Sequence, residues 1–220
     1  MAARGTTAEY HLHELAVARD PTAPGHLLPP IGPTDRAILD LGCGAGQSLV
    51  AAVPDDGRLA VGLDVDEEAL SLGRTLTDAV RFVAGRGETL PFAGDTFDLV
   101  ISRVALPYTD IPRTLGEVAR VLKAGGRCWL TLHPPAFAWR ELAGAIKRGS
   151  VRSALYQLYV LANGLSLELA GRQFAYPLRR ARFESVQTER GMRRALYRAG
   201  FVDVGVERGR FFVVTGARRS

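Results

Sequence analysis

The residues best suited to bind a ligand lie in the run Asp40-Leu41-Gly42-Cys43-Gly44-Ala45-Gly46, whose glycines have the spacing G-x-G-x-G. Glycine allows a tight turn between a strand and a helix, and it leaves bare backbone against which a ligand can lie. A dinucleotide fold prefers G-x-G-x-x-G, and Gln47 stands where its last glycine would be, so pyrophosphate binding is disfavoured. The Asp40 carboxylate suits a ligand with a cationic group better than a phosphate.

A second carboxylate, Asp64, ends the next apolar run, 18 residues after Gly46. At the carboxyl end of a strand it can accept hydrogen bonds from both hydroxyls of a ribose. Taken alone, Asp64 could equally be a loop acid or a helix cap, but the glycine run before it favours ligand binding. Arg103, Tyr108 and His133 also follow apolar runs, and the carboxyl ends of parallel strands meet at one edge of a sheet.

Seven apolar runs, separated by segments of helical period, predict an α/β fold with a Rossmann-like, doubly wound and mostly parallel sheet. The last two runs are separated only by residues 207–210, too few for a crossover helix, so we expect an antiparallel edge strand in a closing hairpin. The predicted strands are Ala37–Leu41, Leu59–Asp64, Val80–Ala84, Asp98–Ser102, Arg127–His133, Phe201–Val206 and Phe211–Thr215.

Three helices between these strands have recognisable ends. Asp66 can cap a helix whose first turn is acidic, which suits the positive end of the helix dipole. A second helix is predicted to begin at Pro112 and to be ended by Gly125-Gly126. The last covers residues 189–199 and stops at Gly200, where a left-handed residue is favoured.

Two segments outside this alternation divide the chain into four parts. Residues 1–34 combine a short helix around 9–18 with a proline-rich link, which predicts an N-terminal cap and linker. Residues 35–135 form the ligand-binding core, and residues 136–188 form a helical insertion between the fifth and sixth strands. Residues 189–220 complete the core with the last helix and the closing hairpin.

The insertion carries an apolar stripe at helical spacing. We expect the stripe to pack onto the sheet domain, in preference to forming a substrate wall or a face between two copies. Its members are Leu155, Leu158, Tyr159, Ala162, Leu165 and Leu169. The insertion also supplies aromatic side chains and positive charge, which favours an apolar or aromatic ligand that bears an acidic group.

The composition is that of an ordinary globular protein, with 220 residues of which 47% are hydrophobic and 23% charged, and it excludes disorder. The net charge of +5 divides unevenly, because residues 1–135 carry 12 basic and 17 acidic residues and the remainder 16 and 6. The basic half could meet nucleic acid, anionic lipid or an acidic substrate, but we interpret it as a solvated surface.

The sequence also limits where the protein works. No apolar run is long enough to span a bilayer, and acidic and histidine residues interrupt any signal sequence, so we expect a cytoplasmic protein without stable membrane insertion. The two cysteines, Cys43 and Cys128, have no metal-binding or disulfide spacing. Both are expected to be reduced, and no metal site is predicted.

Five motifs occur in a fixed order. They are Leu39-Asp40-Leu41-Gly42-Cys43-Gly44-Ala45-Gly46, Gly62-Leu63-Asp64, Glu88-Thr89-Leu90-Pro91-Phe92, Phe97-Asp98-Leu99-Val100 and Val121-Leu122-Lys123-Ala124-Gly125-Gly126-Arg127. Together they resemble the class I S-adenosylmethionine-dependent methyltransferases, and most closely the small-molecule branch (methyltransferase type 11) that includes quinone-biosynthesis enzymes. The resemblance covers residues 36–134, and the closing strands are recognisable from 190 to 217.

The resemblance implies methyl transfer from S-adenosylmethionine to a small acceptor, with release of S-adenosylhomocysteine. It also implies a set of cofactor-binding residues around the methionine, ribose and adenine parts. These are Asp40 with Gly42, Cys43, Gly44 and Gly46 for the methionine, Asp64 for the ribose hydroxyls, and Arg86, Gly87 and Glu88 beside the adenine. Val65 and Arg103 are also predicted to bind the cofactor.

One motif departs from the family pattern. Family members commonly carry Gly-Asp-Ala where this chain has Gly85-Arg86-Gly87. Arg86 cannot accept the hydrogen bond that the family's Asp accepts from the adenine amino group. We expect backbone groups and Glu88 to serve instead, with Arg86 stacked on the base; the alternative is a lower affinity for the cofactor.

His133 and Tyr108 are the candidate catalytic residues if the acceptor must lose a proton, and His133 has the suitable unperturbed pKa. His133 could equally bond to backbone at the strand end. Arg103 could hold an acidic group of the substrate or form an internal salt bridge. The residues expected near the substrate are Tyr10, Arg103, Tyr108, Trp139 and Tyr159, with Tyr10 in an N-terminal segment that would close over the cofactor.

Two other functions remain open. One is a catalytically silent module that binds S-adenosylmethionine. The other is methylation of a protein or nucleic acid; nucleic acid is disfavoured because no Asn/Asp-Pro-Pro-Tyr/Phe run follows the fourth strand. The expected partner is a small-molecule methyl acceptor, and the oligomeric state is left open.

Overall fold

Seven short apolar segments form the strands of one sheet in the computed structural model, which describes residues 7–53, 57–133, 135–177 and 182–220. The strand order is β3-β2-β1-β4-β5-β7-β6, which confirms the predicted α/β fold with a mostly parallel, seven-stranded sheet. The strands are β1 (Ala37–Leu41), β2 (Leu59–Asp64), β3 (Val80–Ala84), β4 (Phe97–Arg103), β5 (Leu122–Leu132), β6 (Phe201–Arg208) and β7 (Phe212–Arg218).

The structure corrects one detail, the place of the reversed strand. Strand β7 is antiparallel to both of its neighbours, and it lies between β5 and β6 instead of at the edge. The edge strand β6 therefore runs parallel to the rest of the sheet. The reason is polarity: β7 buries Phe212, Val213 and Val214, whereas β6 exposes Asp203 and Glu207, and charged side chains suit an open edge.

Helices cover both faces of the sheet, and side-chain caps set where several of them begin. Asp66 accepts hydrogen bonds from two backbone N–H groups of α3, as predicted. Asp110 caps α4, so this helix begins at Ile111, one residue before the predicted Pro112. The described helices are α1 (Thr7–Arg19), α2 (Gln47–Ala52), α3 (Glu67–Leu76), α4 (Ile111–Val121), α5 (Pro135–Lys147), α6 (Val151–Ala170) and α7 (Glu189–Arg198), with a 3₁₀ turn at Leu106–Tyr108.

Strand β5 begins at Leu122, not at the predicted Arg127. Helix α4 ends at Val121 and the chain passes directly into the strand, where Leu122 pairs with Phe97 of β4. The glycine pair Gly125-Gly126 therefore lies inside an irregular part of the strand and does not end the helix. Pairing with β4, which is distant in sequence, ends the helix earlier than the local signal predicts.

Helix α1 covers the sheet end that holds the glycine run. It contacts α2 and α3 and buries His11, Leu15 and Ala18. The expected helix around residues 9–18 thus spans Thr7–Arg19. Its position brings N-terminal side chains next to residues 42–48.

The insertion begins with α5 and α6, which pack against each other, and α6 also rests on the segment before α7. The buried face of α6 contains Val160, Asn163, Gly164 and Leu167. A Cβ atom at Gly164 would lie 2.4 Å from the Val186 carbonyl oxygen, so the close approach requires glycine. Asn163 can be buried because its side chain bonds to the backbone of the surrounding insertion.

The leucines of the predicted stripe point to solvent, so the expectation that they pack onto the sheet domain is wrong. The exposed fractions are 60% for Leu155, 50% for Leu158, 56% for Leu165 and 61% for Leu169. The buried face of α6 contains the polar Asn163, so its sequence pattern does not indicate burial. The hydrogen bonds that allow Asn163 to be buried cannot be predicted from the sequence. Within the described residues, no helix has the combined length and apolar content needed to cross a membrane.

Candidate active site

The glycine run forms the turn between β1 and α2. Gly42, Gly44 and Gly46 have positive φ angles of 75°, 55° and 81°, which favour glycine. At Gly42 a Cβ atom would lie 2.1 Å from the Ala105 side chain, and at Gly44 it would lie 2.6 Å from His11. The turn is therefore closely packed on the protein side, and the peptide groups of residues 42–44 border two cavities.

The larger of these two, which we call the main cavity, has a volume of about 330 Å³. It lies beyond the carboxyl ends of β1 to β4, the place where open parallel sheets bind ligands. It brings together many of the predicted residues and adds two from the insertion, Arg182 and Phe183. The lining residues are Leu41, Gly42, Leu63, Asp64, Val65, Gly85, Arg86, Gly87, Glu88, Ala105, Tyr108, Thr109, Arg182 and Phe183.

Asp64 stands at the edge of the main cavity and also supports the backbone. One carboxylate oxygen accepts a 2.7 Å hydrogen bond from the Gly44 N–H, and the other accepts a 3.0 Å bond from the Asp66 N–H. A carboxylate has about four acceptor positions, so two remain for ligand hydroxyls. Both interpretations of Asp64, the loop acid and the ribose ligand, are compatible with this geometry.

The atypical loop at residues 85–88 also borders the main cavity. Arg86 is half-exposed, and its Nε lies 3.6 Å from a Glu88 carboxylate oxygen. The other Glu88 oxygen accepts a 3.1 Å hydrogen bond from the Asp110 N–H at the start of α4. Both charges therefore have protein partners, and contact of Glu88 or Arg86 with an adenine stays a prediction.

The smaller volume, which we call the side cavity, measures about 150 Å³ and shares Gly42 and Asp64 with the main cavity. Its lining includes Asp40 and Arg103. Asp40 Oδ1 and Arg103 Nη1 are buried, and neither forms a hydrogen bond within the described part of the chain. Buried polar atoms without partners are rare in proteins, and a ligand is one explanation for them.

The charge state of Asp40 follows from its surroundings. Burial raises the pKa of the Asp40 carboxyl to about 7; the Arg103 guanidinium opposes this shift and the Asp64 carboxylate adds to it. A cation placed in the side cavity would favour the ionised form. The free carboxylate oxygen of Asp40 and the free Nη1 of Arg103 thus match the ammonium and carboxylate of an amino acid.

Helix α1 closes the side cavity. Glu14 forms an ion pair with Arg103, and His11 Nδ1 lies 2.7 Å from Gln47 Nε2 in the first turn of α2. Tyr10 lines the same cavity and is 60% exposed. The structure therefore places Tyr10 in the same cavity lining as Asp40 and Arg103, and its contact with a substrate stays a prediction.

The two candidate catalytic side chains lie next to each other. Tyr108 Oη is 3.4 Å from His133 Nε2, and the His133 ring stacks on Phe137 with 4.5 Å between ring centroids. Burial lowers the pKa of His133, partly opposed by Glu184, and burial raises the pKa of Tyr108. At neutral pH the imidazole is therefore uncharged and able to accept a proton, and the phenol keeps its proton.

Four other predicted residues lie outside the main cavity. Cys43 borders the side cavity, but it is buried and its pKa is raised well above the usual value by burial, so it is a poor nucleophile. Gly46 faces Phe82 under the turn. Trp139 is exposed and borders neither cavity, and the Tyr159 hydroxyl donates to the Phe174 carbonyl within the insertion.

A third volume, which we call the insertion cavity, lies between α5 and α6 and measures about 320 Å³. Its lining combines Arg148, Arg152 and Arg182 with two tyrosines and one acid, Glu141. Arg182 also lines the main cavity, so the two volumes meet at this side chain. The tyrosines are Tyr156 and Tyr176.

Solved methyltransferase structures share this fold. The structure of an S-adenosylmethionine-dependent methyltransferase, possible histamine N-methyltransferase, from Thermotoga maritima matches with a TM-score of 0.59. The match covers 97% of this chain and 91% of that chain at 17% sequence identity. At this identity the likeness establishes the fold alone.

Sequence comparisons place the similarity in the region of the site. Residues 39–130 match the family described as Methyltransferase domain. The chain is 39% identical over 100 residues to demethylmenaquinone methyltransferase of Symbiobacterium thermophilum, which covers 41% of this chain and 39% of that protein. It is 35% identical over 127 residues to malonyl-[acyl-carrier protein] O-methyltransferase of Methylococcus capsulatus, covering 52% and 46%. The chain therefore matches less than half the length of these two relatives.

These findings confirm the resemblance stated from the motifs. Residues 39–130 match a methyltransferase domain, and the class that the motifs resemble uses S-adenosylmethionine as its cofactor. The residues present fit that cofactor, because in the side cavity Asp40 Oδ1 and Arg103 Nη1 are buried atoms that its amino acid end could bind. The main cavity beside it offers a carboxylate and apolar walls.

Proposed function

We propose that this chain transfers a methyl group from S-adenosylmethionine to a small acceptor. The observation that carries the proposal is the pair of buried atoms without a hydrogen-bond partner in the described part of the chain, Asp40 Oδ1 and Arg103 Nη1, beside the glycine turn. A phosphate-binding site would not place a carboxylate there, whereas an amino acid needs one partner of each sign. The family match over residues 39–130 supports the same conclusion.

Different residues of the chain would bind different parts of the cofactor. Arg103 would hold the carboxylate of the cofactor, Asp40 its ammonium group and Asp64 the ribose hydroxyls. The apolar side chains of Leu63 and Phe183 would cover the adenine. When bound, S-adenosylmethionine supplies an electrophilic methyl group, and the main task of the site is to hold the acceptor in line with it, which can contribute about 7 to 11 kcal/mol.

His133 would accept the proton of an acceptor that must ionise. Its neutral state at pH 7 follows from the lowered pKa, and Tyr108 at 3.4 Å would orient the ring or the acceptor. Such a base contributes about 10²- to 10⁴-fold to the rate. An acceptor that needs no deprotonation would be methylated without it.

The acceptor would be an apolar or aromatic molecule with an acidic group. Support comes from the insertion cavity, where Arg148, Arg152 and Arg182 surround a wall of tyrosines. Arginine suits carboxylates because its guanidinium can form two parallel hydrogen bonds. Since Arg182 borders both cavities, an anion held there would keep the rest of the acceptor near the main cavity.

The first test is binding. Calorimetry with S-adenosylmethionine, S-adenosylhomocysteine and NAD should show binding of the first two and none of NAD. Asp64→Ala should abolish binding without unfolding the protein, and Asp78→Ala, an exposed carboxylate away from the cavities, should leave it unchanged. Binding of NAD, or no binding of either sulfur compound, would contradict the proposal.

The second test is transfer. With a radiolabelled methyl group, incorporation into hydroxynaphthoates should exceed incorporation into the corresponding naphthols, because the naphthols lack the acidic group. Equal incorporation into both would remove the role given to the insertion arginines. Cofactor binding without transfer to any of these acceptors, to protein or to RNA would favour a catalytically silent binding module.

A further inference from the structure

Helix α6 has two apolar faces, and the structure uses only one of them. Val160 and Leu167 are buried at 4% and 1% exposure, together with Asn163 and Gly164. The opposite face carries an exposed apolar row, which we call the α6 seam. It consists of Val151, Leu155, Leu158, Ala162, Leu165 and Leu169.

The spacing of the α6 seam is that of a helix that pairs with another helix. Successive members are separated by 4, 3, 4, 3 and 4 residues. This strict alternation is the narrow stripe of a coiled coil, in which each side chain fits between those of the facing helix. The seam runs along nearly all of the 20-residue helix, or about 30 Å. None of its members is charged or strongly polar.

The α6 seam is also symmetric along the helix. Val151 and Leu169 lie nine residues on either side of Val160, Leu155 and Leu165 lie five, and Leu158 and Ala162 lie two. If a second α6 approaches antiparallel about a two-fold axis at Val160, each seam residue faces another seam residue. A two-fold interface requires such self-complementarity, and a surface selected for an unrelated partner does not.

The two charged residues of α6 favour the same orientation. Arg152 lies in the first turn of the helix and Glu168 in the last, and the other 18 residues are uncharged. Antiparallel pairing brings Arg152 of one copy to the same end as Glu168 of the other. Parallel pairing would bring like charges together at both ends.

We infer that α6 pairs antiparallel with α6 of a second copy of this chain. Six small to medium apolar side chains per copy make an interface at the low end of the usual size range. The dimer should therefore form reversibly, with a dissociation constant in the micromolar range, about 1 to 100 μM. The prediction concerns assembly only and does not depend on whether the chain transfers methyl groups.

Sedimentation velocity of the full chain over this concentration range tests the inference. Leu158→Glu places a charge near the axis of the seam in both copies and should raise the dissociation constant on the order of 100-fold. The matched control is Leu12→Glu, because Leu12 is 46% exposed on α1, a helix that packs on α2 and α3. A chain that stays monomeric at all concentrations, or a dimer that tolerates Leu158→Glu, would overturn the inference.

The orientation can be tested separately by disulfide cross-linking. Leu155→Cys mixed with Leu165→Cys should form a mixed dimer under mild oxidation, and each variant alone should form little. The native Cys43 and Cys128 are buried and do not compete. Strong cross-linking of Leu155→Cys with itself would show parallel pairing and overturn the antiparallel arrangement. Binding of the monomer to anionic lipid vesicles that Leu158→Glu abolishes would show a membrane in place of the second copy.

Discussion

The charged residues of the main cavity and of the side cavity differ in whether the protein already supplies their hydrogen-bond partners. In the main cavity, Asp64 and Glu88 already accept hydrogen bonds from backbone N–H groups. In the side cavity, Asp40 Oδ1 and Arg103 Nη1 are buried without a partner. A buried atom without a partner gains the full hydrogen bond from a ligand, whereas Asp64 and Glu88 can offer a ligand only the acceptor positions that the backbone leaves free. We therefore expect the side cavity to supply charge recognition and the main cavity to supply shape.

Tyr108 lines the main cavity and His133 lies behind it at 3.4 Å, and the largest effect is expected at this pair. His133→Ala should lower kcat with the hydroxynaphthoate acceptors about 10²- to 10⁴-fold, because it removes the neutral imidazole proposed to accept the proton of the acceptor. The affinity for S-adenosylmethionine should stay unchanged. Steady-state kinetics and calorimetry measure the two quantities.

The exposed His13 provides the control, since His13→Ala removes an imidazole that lines neither the main cavity nor the side cavity. If His133→Ala and His13→Ala have the same kcat, His133 has only its structural role at the end of β5. A loss of cofactor affinity with unchanged kcat would place His133 in binding.

In the side cavity, Arg103→Met should weaken S-adenosylmethionine binding by about 100-fold, because the change leaves Asp40 and Glu14 in a partly buried site without their cation. Methylthioadenosine, which lacks the amino acid end, should bind the variant and the parent chain equally. The exposed Arg81→Met is the control and should change neither affinity. An equal loss for both ligands would mean that Arg103 supports the whole site and not the amino acid end.

The pH dependence of binding distinguishes a ligand that enters the side cavity from one that occupies only the main cavity. Since the pKa of Asp40 is about 7, its carboxyl holds a proton below that pH, and a cation must displace it. Affinity for S-adenosylmethionine should rise about tenfold per pH unit from about pH 5 to 7 and then level off. Methylthioadenosine binding should be nearly flat. In Asp40→Asn both profiles should be flat.

The Asp40 carboxyl also makes the stability of the cofactor-free chain depend on pH. Stability should fall as the pH rises, whereas the affinity for S-adenosylmethionine should rise. The unfolded chain loses the Asp40 proton near pH 3.8 and the folded chain near pH 7, so the folded state binds more protons between these values. The free energy of unfolding should therefore fall as the pH rises through this window. Chemical denaturation of the parent chain and of Asp40→Asn checks this; parallel curves would show that Asp40 is ionised in the free protein.

Local signals predicted the part of the fold that positions the site. The bounds of β1, β2 and β3 agree with the sequence prediction residue for residue, because apolar runs, the glycine turn and the Asp66 cap are all short-range features. The start of β5 and the place of β7 depend on pairing between distant segments. Neither Gly125-Gly126 nor the closing hairpin contains that information.

The difference between short-range signals and long-range packing also explains which site residues the sequence identified. Asp40, Asp64 and Arg103 could be found because each lies at, or directly after, the carboxyl end of a predicted strand. Arg182, Phe183, Glu14 and Gln47 reach the cavities only through the packing of the insertion and of α1, so no motif marks them. The orientation of α6 was missed for a related reason, since the hydrogen bonds of the buried Asn163 come from the surrounding insertion.

The smallest effect is expected at the atypical Arg86, and it tests the comparison most directly. Arg86→Ala removes a half-exposed charge that pairs with Glu88, so the affinity for S-adenosylmethionine should change by no more than about threefold. Phe183→Ala, which removes an apolar wall of the same cavity, should cost about tenfold. If Arg86→Ala is instead as damaging as Arg103→Met, the adenine end depends on charge as much as the amino acid end does. The main cavity and the side cavity would then both recognise the cofactor by charge, and the proposed difference between them would be wrong.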